Sequence, residues 1–535
     1  MDRRARPGRT NQPGVTRPRA LGLGLLCGIV LGLPFAVEAL QPFAWVSAVP
    51  FLVVLATARM GHGLLFSYAA GVAFIGTGCV WLADLSWFFV LVCAANYGIY
   101  FLSYALVPLV LRRAPALPLW TYVPLLGTFS ESVRETLGAF ETTWWALGYT
   151  QARALSLIQI AEWTGVAGVS LLLLLANAVL ADVVLALSRR ARVPATAAAP
   201  AAWSLYAGGM LAGTLVLAAV IVGRARLGQV RAAIHDGPTV LLVQGNVPVE
   251  SKTRDDFAPW MLDNQVDVTR AGLRPGVALV AWPETMPIRP EDPRKAAALR
   301  RIAEAIKTPL LMGAIGITVE DGVTRQANSA FLLSESGRVQ KRYDKQALVA
   351  FGEYVPLVSR FTWLRRAVGE HLLGTYRGFD PFLRPGTEYS LFPLTHGGRA
   401  LRFAVLICYE DVLPGMTRTF AGMGADFFLL ISNENFFGLR EMDQHADMAV
   451  FRAIETRRPV LRATNTGRTC LIDPTGSVTS RIDRRVAGTL RTAVPLSSIT
   501  PALPVTQALF GWACGVAAGI VMALACWKRS GVRAG

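Results

Sequence analysis

Arg402-Phe-Ala-Val-Leu-Ile-Cys-Tyr-Glu-Asp411 is a short apolar run that ends abruptly in a thiol and two acids. Its length and its β-branched and aromatic content predict a buried strand. A Cys at the end of such a strand is presented at a sheet edge, where the active sites of α/β folds collect. Taken alone, Cys408 reads more readily as a small core residue than as a nucleophile. Two further segments change that balance: Trp282-Pro-Glu284 and Lys341-Arg-Tyr-Asp-Lys345 lie upstream on separate predicted elements. Glu284, Lys345 and Cys408 are together the parts of an acyl-transfer site working through a thioester.

Around Cys408, the region from about 228 to 500 alternates strand and helix signals. Strands are expected at Thr239–Val247, Val277–Trp282, Leu310–Ile317, Ala330–Leu333, Phe403–Ile407, Phe427–Ser432, Val460–Ala463 and Cys470–Ile472. Helices are expected at Pro259–Arg270, Glu291–Ile306, Leu413–Ala421 and Gln444–Thr456. The pattern argues an α/β domain with helices covering sheets. Asp473-Pro-Thr-Gly476 predicts a late hairpin turn. No internal repeat is evident.

The rest of the chain is of another kind. Over 535 residues, 53% are hydrophobic and the mean hydropathy is +0.41, which points to membrane spans. Eight are expected: Leu21–Leu40, Phe43–Ala58, Gly63–Ala83, Leu85–Leu111, Ala114–Ser130, Trp163–Ala181, Trp203–Val222 and about Thr506–Trp527. Each is near the roughly 20 residues a crossing needs. The organisation is a basic tail (1–20), a seven-helix bundle (21–227), the outer domain (228–500) and a last helix with its short tail (501–535).

A net charge of +17 raises the question of nucleic acid, but no zinc-finger or similar signature is present. The basic residues instead flank apolar spans. Arg3, Arg4, Arg6, Arg9, Arg17, Arg19, Arg59, Arg112, Arg113, Arg189, Arg190, Arg192, Lys528, Arg529 and Arg533 fall on one side, against only Arg134 and Arg153 in the opposite short loops. Both termini are therefore expected in the cytoplasm and the α/β domain outside. A basic tail, an apolar run and Val37-Glu-Ala39 also fit a signal peptide; the length of the run and Glu38 favour an uncleaved helix. Of seven cysteines only Cys408 and Cys470 fall in the outer domain, and they read as a free thiol and a small core residue. Scattered histidines, with no His-x-x-x-His or Cys-x-x-Cys spacing, argue against a metal site. No Gly-x-Ser-x-Gly elbow is present.

Val280-Ala-Trp-Pro-Glu284, the Lys345 segment and Ile407-Cys-Tyr-Glu410 resemble the three signatures of the nitrilase superfamily of carbon–nitrogen hydrolases. With Leu241-Leu-Val-Gln-Gly-Asn-Val-Pro248, Ala347–Pro356, Arg457–Gly467, Trp144–Gln151 and Ile158–Gly168, nearly the whole chain resembles the apolipoprotein N-acyltransferase family. The resemblance implies an αββα sandwich on about eight helices, a multi-pass protein of the inner (cytoplasmic) membrane with its catalytic domain periplasmic. It implies transfer of an acyl chain from a phospholipid to the α-amine of the S-diacylglyceryl cysteine that begins an apolipoprotein, without cofactor, metal or nucleic acid. A monomer in the lipid bilayer is expected.

By the resemblance, Cys408 is the nucleophile, Glu284 the general base and Lys345 the oxyanion stabiliser. Glu353 supports the site. Tyr409 and Glu410 orient the nucleophile or gate entry. Phe351–Phe382, rich in aromatic residues and Arg, reads as an arm on the bilayer surface, or else as a packed loop. Two departures from the family pattern stand near the acyl or acceptor pocket. Asn433-Glu-Asn-Phe-Phe-Gly438 replaces Asn-Asp-x-Trp-Phe-Gly, and no Trp lies in Ser251–Arg254, Trp260 being further on. Phe436 and Phe437 are expected to line the acyl pocket. A membrane-tethered amidase acting on small amides would share Glu284, Lys345 and Cys408 but would not need the helices. A transporter would need the helices but not the three motifs.

Overall fold

A computed structural model describes residues 17–57, 60–136, 141–190, 202–248, 258–320, 323–350, 352–354, 383–436, 438–502 and 504–531. The expected surface arm therefore lies outside the described residues except at 352–354, as do the Ser251–Arg254 segment, Phe437, and the side chain of Phe436.

The outer domain is two stacked six-stranded sheets. The first holds β1 (Ile234–Gln244), β2 (Val277–Ala281), β3 (Leu310–Glu320), β4 (Val323–Leu333), β5 (Val339–Asp344) and β12 (Gly488–Ser497), in the order β12-β1-β2-β3-β4-β5. The second holds β6 (Leu391–His396), β7 (Arg399–Ile407), β8 (Phe427–Ser432), β9 (Val460–Thr464), β10 (Cys470–Ile472) and β11 (Val478–Arg481), in the order β11-β10-β9-β8-β7-β6. Each sheet has the same plan: an antiparallel edge strand, three parallel strands, then two antiparallel ones. A duplication of topology is thus present where the residues show no repeat.

β7, β8 and β9 are apolar because helices and the other sheet cover both faces; all six residues of Phe427–Ser432 are buried. The Asp473–Gly476 turn forms the β10–β11 hairpin as expected, with Gly476 N–H donating to Asp473 O at 2.8 Å and Gly476 at φ +84°. Four strands had no strand signal. β5 and β11 are charged or polar edge segments, β6 carries a Pro, and β12 alternates weakly.

In the apolar half, five helices among the described residues are long and apolar enough to cross a membrane: Arg17–Ala36, Trp87–Arg113, Ala161–Ser188, Ala202–Ala232 and Val505–Trp527. The bent pair Glu38–Trp45 and Val49–Thr57 makes a sixth if counted as one span. The expected helix Leu21–Leu40 stops at Ala36, and Glu38 lies in the following 3₁₀ segment, ion-paired with Arg153. Ala114–Ser130, with its three prolines, does not form one helix. It splits into a 3₁₀ turn, Leu119–Thr121, and a helix from Val123 to Glu135.

The two halves share one apolar core, running from Leu31, Phe35 and Phe74 through Trp144, Trp145 and Tyr149 to Val405, Leu429 and Leu461. The helix Leu439–Thr456 lies at this junction, and every residue from Glu441 to Thr456 is buried. An all-round buried helix is ordinarily apolar. This one carries Asp443, Gln444, His445, Asp447, Arg452 and Glu455, each with a polar partner. Gln444 alone receives the indole N–H groups of Trp81 (3.2 Å) and Trp144 (2.6 Å) and donates to Phe35 O (2.8 Å) and Gly78 O (3.2 Å). Arg440 donates to Phe35 O at 2.5 Å. Below them Arg457 pairs with Glu162 at 2.7 Å, and Arg226 joins the same carboxylate at 2.6 Å.

Candidate active site

Three strand ends bring the expected residues together. β7 runs to Ile407, and the chain turns at once into a 3₁₀ segment, Cys408–Val412. Cys408 sits in the corner at φ +52°, a left-handed conformation that a non-glycine residue adopts at a cost of roughly 1–3 kcal/mol. At this corner Cys408 is partly exposed as a residue, while its thiol is enclosed.

Glu284 follows β2. Its loop is stitched to β3 by Trp282 N–H to Leu311 O (2.8 Å) and Met286 N–H to Gly313 O (2.7 Å). The buried indole of Trp282 donates to Thr269 at 2.9 Å. The backbone approach is so close that a Cβ on Gly313 would meet Glu284 Cα at 2.6 Å. Glu284 is 5% exposed. It accepts from Asn328 Nδ2 at 2.6 Å and from the Asn433 N–H at 2.8 Å.

Lys345 follows β5 and is 1% exposed. Its Nζ lies 2.8–2.9 Å from the two oxygens of Glu353 and 3.9 Å from Glu284 Oε1. Burial disfavours its charge, but Glu353, Cys408 and Glu284 outweigh burial and hold the ammonium well above its usual range. It stays charged throughout the working pH range. The opposite holds at the thiol. Burial and then the Glu284 carboxylate push Cys408 up to about 12, against the pull of Lys345 and His445. At neutral pH the resting group is a thiol beside a carboxylate, so any attack by its sulfur requires the proton to be taken up as it occurs.

Glu353 holds Lys345 and also accepts the Val349 N–H at 2.8 Å. Glu410 is fully buried and accepts from Tyr343 OH (2.8 Å), Gln346 N–H (2.7 Å) and Ile407 N–H (2.9 Å). It therefore fastens the Cys408 corner to the segment bearing Lys345. Burial, partly offset by those donors, pushes it up to about 7. Tyr409 donates to Glu141 O at 2.6 Å and stacks on Trp144, 6.5 Å between rings, which joins the corner to the apolar half. Phe436 and Phe437 cannot be placed against the site, since their side chains lie outside the described residues. No cluster of three or more metal-ligating side chains occurs among the described residues.

Asn328 had no signal. It lies on β4, and its Nδ2 is shared between Glu284 Oε1 and Glu353 Oε1 at 2.6 and 2.8 Å. A neutral amide inside a strand looks like any polar residue until the two carboxylates are seen to meet there. Asn328→Ala should lower stability by about 1–3 kcal/mol, because it strips a donor from two buried carboxylates. Thermal unfolding of the purified variant measures this; an unchanged midpoint would contradict the shared role.

Residues 27–179 match the profile of the apolipoprotein N-acyltransferase N-terminal domain, and residues 242–502 match that of carbon-nitrogen hydrolase. The apolipoprotein N-acyltransferase of Geobacter metallireducens is 30% identical over 528 residues, 95% of each chain. This chain belongs to the apolipoprotein N-acyltransferase family. The relative of the same description in Chlorobaculum tepidum is 29% identical over 515 residues, 89% of this chain and 91% of its own. Among solved structures, an amidase from Nesterenkonia sp. aligns with 49% of this chain and 91% of its own, at 18% identity and a TM-score of 0.36. The outer domain has the nitrilase-like fold, and the chain is an acyltransferase of the carbon–nitrogen hydrolase superfamily.

Proposed function

We propose that this chain moves an acyl chain from a membrane phospholipid to the α-amine of the S-diacylglyceryl cysteine of an apolipoprotein, through a thioester on Cys408. The observation that carries the proposal is the meeting of Cys408, Glu284 and Lys345 at strand ends that are bonded directly to an apolar helical half. Glu284 takes the thiol proton as sulfur attacks the ester carbonyl. Lys345 stabilises the oxyanion. Collapse expels the glycerol oxygen, which takes the proton back from Glu284 and leaves as a lyso-lipid. The acceptor amine then attacks the thioester, again losing a proton to Glu284, and an amide forms as the thiol is restored.

A small-amide amidase would use the same three residues. It would have no use for residues 27–179, which match the family's own N-terminal domain. The apolar helices support a protein resident in the membrane. The bias of Arg toward one set of loops supports both termini in the cytoplasm and the sandwich on the periplasmic face of the inner membrane.

Mass spectrometry of lipoprotein N-termini tests the function. Cells with the protein should carry N-acylated cysteines, and cells without it a free α-amine. Cys reporters in spheroplasts test the orientation: an impermeant label should reach position 295 and not position 112. The reverse pattern would place the chemistry in the wrong compartment.

A further inference from the structure

The corner that presents Cys408 is gripped from two sides. Glu410 holds it to the Lys345 segment. Asp411, the next residue, points the other way. Its Oδ2 accepts from Arg462 Nη1 of β9 at 2.9 Å, and its Oδ1 lies 2.5 Å from His445 Nε2 on the helix Leu439–Thr456. Glu434 Oε1 closes the group, 2.5 Å from Arg462 Nη2 and 3.0 Å from His445 Nδ1. Glu441 Oε1 stands 3.5 Å from the same ring nitrogen. None of these five side chains is more than 3% exposed.

Nε2 of His445 meets the Asp411 carboxylate, and Nδ1 stands 3.0 Å from Glu434 Oε1 without the alignment of a hydrogen bond, so the ring lies between two carboxylates that favour its imidazolium form. Burial opposes that charge and Arg462 opposes it further. Asp411 and Glu434 prevail and hold the ring well above its usual value. The indole of Trp144 lies against the imidazole, 5.6 Å between centroids. The preceding residue, Gln444, is the one bonded to Trp81, Phe35 O and Gly78 O. One helix thus carries, side by side, a clamp on the nucleophile corner and an attachment to the apolar half.

We propose that His445 is a positioning residue for acyl transfer: a buried imidazolium locked between Asp411 and Glu434, it fixes the Cys408 corner to the helix that rests on the membrane bundle. The proposal depends on Cys408 being the nucleophile. The charges facing the ring are Asp411, Glu434, Glu441 and Arg462; those facing the thiol from the other side are Glu284 and Lys345. Loss of the His445 charge should therefore make the thiol harder to ionise and let the corner drift.

The test uses the full chain in phospholipid nanodiscs. Alkylation of Cys408 by iodoacetamide is followed against pH by peptide mass spectrometry. Acyl-enzyme formation is followed against phospholipid content in single turnovers. His445→Gln keeps a hydrogen-bond donor and loses the charge. It should raise the alkylation midpoint and slow maximal acylation by about 10–100-fold. The phospholipid level for half-maximal rate should move less than about 2-fold, because the loss falls on the reacting geometry and not on lipid binding. Glu441→Gln removes a facing carboxylate and should lower the alkylation midpoint. A folded His445→Gln with parental midpoint and rate overturns the proposal. If that variant does not fold, an unchanged midpoint in Glu441→Gln overturns it. Acyl transfer that persists in Cys408→Ala would remove the nucleophile assignment instead, a result distinct from failure of the clamp.

Discussion

Cys408→Ala should carry no acyl adduct after incubation with phospholipid alone, whereas the parent protein should gain one chain that neutral hydroxylamine removes. The expectation follows from the corner at φ +52°. A residue held in a left-handed conformation at the end of a buried strand is costly to maintain for packing alone. A thioester also divides one difficult exchange between an ester and an amine into two easier steps. Intact-protein mass spectrometry reads the adduct directly. An adduct of the same mass in Cys408→Ala, or transfer with no acyl-enzyme in the parent, would remove the thioester from the reaction.

Glu284→Gln should act in two opposite directions at once. The carboxylate raises the thiol, which stands at about 12, so its removal should lower the pH at which Cys408 is alkylated. In the proposed mechanism the same change removes the base that takes the proton during attack, and acylation should fall by about 10²–10⁴-fold. A more ionisable but less reactive enzyme is not what a general loss of structure would produce. Acylation within tenfold of the parent would show that another group takes the proton. Lys345→Ala should lose about 2.7–4 kcal/mol of transition-state stabilisation if the ammonium faces the oxyanion. It should also leave Glu353 and Glu284 facing each other without their cation.

The three groups that meet at the candidate site were legible because each ends or follows a stretch with its own strong pattern: Val277–Trp282 before Glu284, the charged Lys341–Lys345 segment, and Phe403–Ile407 before Cys408. Most strands and helices of the outer domain were legible for the same reason. What escaped was of two kinds. β5 and β11 are exposed edge strands, where neither apolar alternation nor β-branched runs are required, so no periodic signal exists. β4 was seen only in its apolar last third; Thr324, Arg325, Gln326 and Asn328 belong to the strand, but propensity gives no sign of it. The supporting polar groups were hidden differently. Asn328, Asp411, His445 and Arg462 sit where an apolar residue is usual, and only the fold shows that each meets a partner. In the membrane half, apolar length alone could not separate a continuous helix from one broken by 3₁₀ turns and prolines, as at Glu38–Thr57 and Ala114–Glu135.

The helix Ala202–Ala232 passes into β1 with one intervening residue, and β12 leads within a few residues to the helix Pro504–Gly531. β1 and β12 are neighbours, paired from Ile234↔Ser497 to Gln244↔Gly488. Both covalent attachments of the sandwich thus leave from one edge of one sheet. In mechanical terms that edge is a hinge pin. The contacts of Arg440, Gln444 and Tyr409, made by the other sheet and its helix, are the latch. Arg452 on Tyr149, Arg457 on Glu162 and the shared apolar core hold on that same side, so the outer domain is fastened to the apolar half at both of its sheets.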